Sequence, residues 1–212
     1  MELTEAMRTT GTCRRFRPDP VPDDVLHRAF EVARFGPQGG NRQPLRWVVV
    51  RDPVLKQALA DLYAPLWEAY PGRGSARRDR PPTRAAIDAD HFVAHLAEVP
   101  AIIVVCAELA ALYPTDVELG RLSVVGGGSI YPTVQNLCLA LREQGVGTAF
   151  TTLLCREEPR VRELLGIPEG IITAGHIAVG YPERPFPTTL RRGPVERVVF
   201  ADRYDRPLFD GG

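Results

Sequence analysis

From Pro22 onward the apolar residues Val25, Leu26, Ala29, Phe30, Val32 and Ala33 recur at the spacing of one helical face. Pro22 suits a first helical turn, and Asp23 and Asp24 place carboxylates at the positive helix end. A shorter helix is expected before it, over Leu3 to Arg8. The run "LRWVVV" from Leu45 reads as a strand, and Asp52-Pro53 starts a helix that continues to about Tyr70. Another helix is expected over Arg84 to Ala97, followed by "AIIVVC" as a buried strand. The glycines at 126 to 128 precede a helix carrying Ile130, Val134, Leu137 and Leu141 on one face. "TAFTTLL" is a third strand, Val161 to Leu165 a short helix, and "IITAGHIAVGYP" a fourth strand, with "VERVVF" expected as a fifth. Residues 71 to 83, "PGRGSARRDRPPT", are turn formers and arginines of lid-like length. The tail from Ala201 to Gly212 is expected to be extended, without a core of its own.

At 212 residues the pattern fits one domain, 1–212, long enough to bury a core. Its 26 basic and 26 acidic side chains give no bulk attraction to nucleic acid. The apolar run from Val99 to Tyr113 is broken by Pro100 and Glu108 and falls short of a membrane span. Cys13, Cys106, Cys138 and Cys155 are widely spaced with no CxxC pair, and the first residues lack the apolar core of a signal peptide. A cytoplasmic protein with free thiols is expected.

Familiar chemical motifs are missing or incomplete. "GRG" at 72 and "GVG" at 145 lack the third glycine of a dinucleotide fingerprint, and Lys56, the only lysine, follows no glycine loop. His91 and His95 have a metal-ligand spacing, yet Phe92 stands where a metallohydrolase carries its Glu, and no metal is expected. Ser129 follows three glycines and makes no nucleophile elbow. What remains is dispersed: "TGTCRRF" near the start, "PQGGN" in the loop before the first strand, Thr151 and Thr152, and "LRRGP" at 190. A guanidinium fork suits a phosphate, and amides and hydroxyls can satisfy the edges of a flat heterocycle, an inventory that fits FMN. The same residues read equally as a solvated arginine pair, a turn-forming Asn41 and strand threonines.

The order of the pieces resembles the nitroreductase family of FMN-dependent enzymes over almost the whole chain. "CRRFRPDPVPDDVL", "GPQGGNRQPLRWVVV", "YPTVQNLCLALREQGVGTAFTTLL", "ELLGIP" and "IAVGYP" carry the likeness. The resemblance implies an α+β fold, a mixed β-sheet flanked by helices in an intertwined homodimer with shared FMN sites. By the same resemblance Thr12 and Arg14 contact the flavin and its ribityl chain. Pro37, Gln38, Gly39 and Asn41 reach the FMN of the partner subunit, Arg192 matches a C-terminal basic residue on its phosphate with Arg191 beside it as a further cofactor-binding candidate, and Thr151 and Thr152 pass the N5 edge. The threonine pair is most similar to the subgroup of iodotyrosine deiodinase and the flavin-destroying enzyme of cobalamin biosynthesis.

Two departures stand out. Family members carry arginines where this chain has Thr10 and Gly11, so Arg8, Arg15 or Arg191 would have to compensate. The deiodinase lid triad of Glu, Tyr and Lys is not reproduced, since Glu68 and Tyr70 stand at another spacing with no lysine after them. The expected activity is therefore reduction of an electron-poor small molecule, a nitroaromatic, quinone or enone, with NADH or NADPH as reductant. An FMN-dependent dehydrogenase working in the oxidising direction and a catalytically silent flavin-binding protein are the alternatives.

Overall fold

In the computed structural model, which describes residues 1–70 and 81–209, the chain begins with α1 (Leu3–Thr9) and α2 (Asp23–Ala33). β1 (Leu45–Val50), α3 (Pro53–Glu68), α4 (Arg84–Ala94) and β2 (Ala101–Glu108) follow. α5 (Tyr131–Glu143), β3 (Gly147–Thr151), α6 (Glu158–Leu165) and β4 (Ile171–Gly180) complete the regular elements. The strands lie in the order β1-β2-β4-β3, each pair antiparallel. The α+β class expected from the sequence holds; the mixed character reduces, among the described residues, to one parallel bridge between Thr12 and Thr148.

The period of two along the strands divides the core. Ile103, Val105, Ala107, Ile177 and Val179 face α2 and α5, packing on Leu26, Ala29, Leu137 and Leu141. Ile102, Val104, Cys106, Ala149 and Ala178 face the other way, onto Leu59 and Tyr63 of α3, Phe92 of α4 and Val161 of α6. Both faces are covered, which is why "AIIVVC" is continuously apolar rather than alternating.

Local chemistry fixes the ends. Asp52 Oδ1 accepts from the Leu55 amide at 2.9 Å and Pro53 occupies the first turn of α3. The buried Lys56 donates from Nζ to the Val99 carbonyl at 2.6 Å, tying α3 to the approach to β2. Between β2 and β4 the register jumps so that Val105 faces Gly175 and Cys106 faces Thr173, leaving Ala174 as a bulge. At Gly175 a Cβ would lie 2.4 Å from the Phe150 ring, so only glycine admits that ring.

Four expectations are corrected. The helix from Arg84 ends at Ala94, and Leu96–Glu98 forms a separate 3₁₀ turn. "TAFTTLL" is a strand only to Thr151, after which Leu153–Glu157 turns as a 3₁₀ segment. "VERVVF" gives no sheet strand: Val195–Arg197 is a 3₁₀ turn, and Phe200 pairs only with Pro207. The tail is likewise not extended, because Asp202 and Asp205 adopt left-handed φ of 60° and 65° and turn it back. The Ala201 amide then meets the Arg206 carbonyl at 2.7 Å, and the Leu208 amide the Val199 carbonyl at 3.1 Å. The lid-like loop expected at 71–83 lies largely outside the described residues.

Candidate active site

The segment from Gly11 to Arg17 is laid along the sheet edge. The Cys13 amide donates to the Thr148 carbonyl at 2.8 Å and the Arg17 amide to the Tyr181 carbonyl at 2.8 Å, while Phe16 bridges Pro182. Gly147 makes this contact possible: a Cβ there would sit 2.7 Å from Cys13 Cβ. Pinned this way, Thr12 and Arg14 enter a cleft of about 280 Å³ with Thr151 and Leu153 at the end of β3. Tyr63 and Trp67 of α3, Tyr70 just beyond its end and Phe92 of α4 form its aromatic wall.

The cleft has defined hydrogen bonding. Tyr63, 4% exposed, lies with its hydroxyl 3.1 Å from Thr151 Oγ1, and that oxygen accepts from the Leu153 amide at 3.3 Å. Burial raises the Tyr63 phenol, partly offset by the Thr151 bond and the Arg14 charge. Trp67 donates from Nε1 to Asp90 Oδ1 at 2.9 Å, and its ring stacks on Tyr70 with centroids 5.7 Å apart. Arg14 is half-buried at this wall, and no hydrogen bond or ion pair engages it among the described residues. A guanidinium so placed, beside hydroxyls and flat apolar surfaces, fits a planar heterocycle with an electron-rich edge.

Beneath the floor, the cross-strand row Val48, Val104, His176, Thr151 places His176 beside Thr151. His176 is 1% exposed, and neither ring nitrogen has a hydrogen-bond partner. Burial pushes its pKa down to about 4.

The other expected residues fall elsewhere. Thr152 is exposed just beyond the strand. Pro37, Gln38, Gly39 and Asn41 do not line this cleft; they form a loop seated on the start of α5. Gly36 packs so closely there that a Cβ would lie 2.7 Å from the Thr133 backbone, and the Gly39 amide donates to Ser129 Oγ at 3.0 Å. Gly40, Asn41 and Gln43 have φ of 60°, 50° and 51°. Gln38 spends its amide nitrogen on the Arg34 and Gly36 carbonyls at 3.4 Å, leaving its buried Oε1 without a partner. Arg191 and Arg192 are exposed, following Leu190, whose amide donates to the Arg8 carbonyl at 3.0 Å.

The two departures in the N-terminal motif have structural causes. Thr10 turns its hydroxyl back onto the Ala6 carbonyl at 2.7 Å, closing α1. At Gly11 a Cβ would already be 3.2 Å from Leu190 and Pro187. Sequence reasoning missed the aromatic wall; Tyr63, Trp67 and Tyr70 do recur at helical spacing, but that spacing describes a core face equally well. His91 and His95 stack with centroids 3.9 Å apart, and His95 Nδ1 lies 2.8 Å from the His91 carbonyl. No group of three metal-ligating side chains occurs among the described residues. The thiols of Cys13, Cys106, Cys138 and Cys155 are all raised by burial, which makes them poor nucleophiles.

Fold and cleft define a class: a helix-covered antiparallel sheet with, at its edge, an aromatic-walled cleft that Arg14 enters. The profile of the nitroreductase family matches residues 7–181, and the chain belongs to that family. It is 33% identical over 195 residues to an NADH dehydrogenase of Thermus thermophilus, covering 88% of this chain and 89% of that one. It is 27% identical over 199 residues to an iodotyrosine deiodinase of Thermotoga neapolitana, covering 92% and 96%. A solved variant of the FMN and NADPH-dependent nitroreductase from Sphigopyxis sp. strain HMH shares the fold. Its TM-score is 0.71 over 95% of this chain and 99% of that one, at 20% identity. No helix among the described residues is long and apolar enough to cross a membrane.

Proposed function

We propose that the protein is an FMN-dependent NAD(P)H oxidoreductase that reduces an electron-poor small molecule and works as a homodimer. The observation that carries this reading is Arg14: a half-buried guanidinium without a hydrogen-bond or ion-pair partner among the described residues, facing a cleft walled by Tyr63, Trp67 and Phe92. Family membership and relatives named as NADH dehydrogenase support the reaction class. FMN, when bound, supplies a ring nitrogen that accepts hydride from the nicotinamide and passes it to the substrate.

The chain's own part is orientation and electrostatics. Arg14 offers its donors and charge to the N1/O2 edge of the isoalloxazine, stabilising negative charge there. Thr151 accepts from the Leu153 amide at Oγ1, and where the Tyr63 hydroxyl donates to the same oxygen the Thr151 proton is left for the cleft. Thr12 supplies a second hydroxyl, Thr152 extends the same strand end, and Trp67 and Phe92 exclude water from the ring plane.

The loop of Pro37, Gln38, Gly39 and Asn41 serves the partner's cleft in this reading, held in shape by the Gly39–Ser129 hydrogen bond. Arg191 and Arg192, both exposed, would serve the phosphate in the same reading. Support for a homodimer comes from large exposed apolar side chains, including Phe35 at 74% and Leu122 at 85%. The test is an absorbance spectrum of the purified protein with added FMN, then with NADPH under anaerobic conditions. A flavin band near ~450 nm that bleaches with NADPH is expected, and Arg14→Gln is expected to weaken FMN binding by about tenfold. A wild-type chain that acquires no band ends the reading.

A further inference from the structure

The hydroxyls of Tyr63 and Thr151, 3.1 Å apart, can share their hydrogen bond in either direction, and the surroundings choose one. Tyr63 is 4% exposed, with its ring set edge-on against Phe92 at a centroid separation of 6.2 Å. Among the described residues its hydroxyl has no hydrogen-bond partner except Thr151 Oγ1. Arg14, whose charge reaches the phenol, carries only donors and cannot take its proton. If Thr151 donated, the phenol proton would be buried without an acceptor, a loss that the opposite direction avoids. Thr151 has the freedom that Tyr63 lacks, since it is half-buried and lines the cleft. The phenol is also the more acidic hydroxyl and hence the better donor. Thr151 Oγ1 thus accepts two hydrogen bonds, one from Tyr63 and one from the Leu153 amide at 3.3 Å. A hydroxyl oxygen has two acceptor lone pairs, so Thr151 can give a hydrogen bond to whatever fills the cleft but cannot take one. Its cross-strand neighbour His176 does not compete, because neither ring nitrogen has a hydrogen-bond partner among the described residues.

We infer that Tyr63 is a positioning residue that holds Thr151 as a donor only, so that the cleft favours a ligand with a bare acceptor atom at that point over one carrying N–H there. The inference rests on the FMN reading, in which Thr151 meets the ring nitrogen that takes up hydride. That nitrogen is an acceptor in the oxidised cofactor and bears a hydrogen in the reduced one. A threonine free to turn serves both forms, donating to one and accepting from the other. A locked threonine serves the oxidised form alone and meets the reduced form hydrogen to hydrogen. The lock therefore lowers the potential of the bound cofactor and makes it a stronger reductant toward an electron-poor substrate.

The experiment compares FMN-loaded wild type with Tyr63→Phe, Thr151→Val and the double variant. Midpoint potentials are read by anaerobic titration of the flavin band against a reference dye, dissociation constants for oxidised FMN from its fluorescence, and thermal melts verify folding. Tyr63→Phe frees one lone pair of Thr151, so the reduced form is expected to gain about tenfold in affinity relative to the oxidised form. For a two-electron couple that tenfold change raises the midpoint by about 30 mV. In the Thr151→Val background no hydroxyl remains to be locked, and Tyr63→Phe should leave the potential where it is. A merely structural role for Tyr63 would not distinguish the two backgrounds. A folded Tyr63→Phe protein with a wild-type or lower potential overturns the inference, and so does an equal shift in both backgrounds. Either result leaves the oxidoreductase reading intact, whereas a wild-type chain that binds no FMN removes both.

Discussion

Acidification should destabilise this protein chiefly through His176. Its ring is 1% exposed, with neither nitrogen bonded, and burial lowers its pKa from the ordinary 6.5 to about 4. Above pH 6.5 neither the folded nor the unfolded chain holds the extra proton, and the full stability is present. Between 6.5 and 4 only the unfolded chain binds it, so stability falls as the pH falls, and below about 4 the loss is complete. At 1.36 kcal/mol per pH unit this amounts to roughly 3 kcal/mol.

The assay is urea unfolding at closely spaced pH values from 7 to 4, for wild type and His176→Leu. The leucine variant should lack about 3 kcal/mol of the wild-type pH dependence. Asp88 and Asp116 have lowered pKa values, Asp88 chiefly through Arg15 and Asp116 chiefly through Ser123, so their contributions fade only at more acid pH and are common to both proteins. His91 is also lowered, by burial first and then by His95, and adds the same slope to both. Parallel pH profiles for wild type and variant would refute the assignment to His176. Because His176 pairs with Thr151, loss of flavin binding should track the same transition in wild type.

Three further outcomes are expected. Gly36→Ala, which drives a Cβ to within 2.7 Å of the Thr133 backbone, should cost about 1–3 kcal/mol in urea unfolding, and an unchanged midpoint would show that the loop and α5 separate freely. Tyr63→Phe removes the hydroxyl bonded to Thr151 and should cost about 0.5–1.5 kcal/mol; no loss would mean that the bond is not maintained in solution. Phe35→Asp places a charge in an apolar groove of about 420 Å³ shared with Leu3 and Val32, and should weaken self-association about tenfold or more by sedimentation. A dimer of wild-type affinity in that variant would move the interface elsewhere.

How much of this was legible in the sequence depended on whether a signal was local. The strand Leu45–Val50 and the helix start at Asp52-Pro53 follow from adjacent residues, and both appear where expected. The fifth strand failed because "VERVVF" has strand-like side chains but pairs with neither edge strand of the sheet among the described residues, and a strand without a partner does not form. Thr12, Arg14 and Thr151 were expected from a family pattern, and the fold brings these three into one cleft. Their convergence depends on the long-range pairing of Cys13 with Thr148, which no local propensity encodes. The aromatic wall stayed hidden because an aromatic stripe that lines a cleft and one that fills a core have the same spacing.

Glycines explain how a rigid sheet edge came to carry the site at all. Gly147 admits Cys13 against β3, Gly175 admits the Phe150 ring at the bulge, and Gly36 brings the loop of Gln38 and Asn41 down onto α5. At each place a Cβ would meet another group at 2.4 to 2.8 Å, closer than packed atoms tolerate. The extended Gly11–Arg17 segment is therefore held in one register by close contact as well as by hydrogen bonds. That register decides the chemistry: along an extended chain, a slip of one residue would exchange Arg14 for Arg15. In the observed register Arg15 is committed to Asp88, whereas Arg14, without such a partner among the described residues, is the guanidinium at the aromatic cleft.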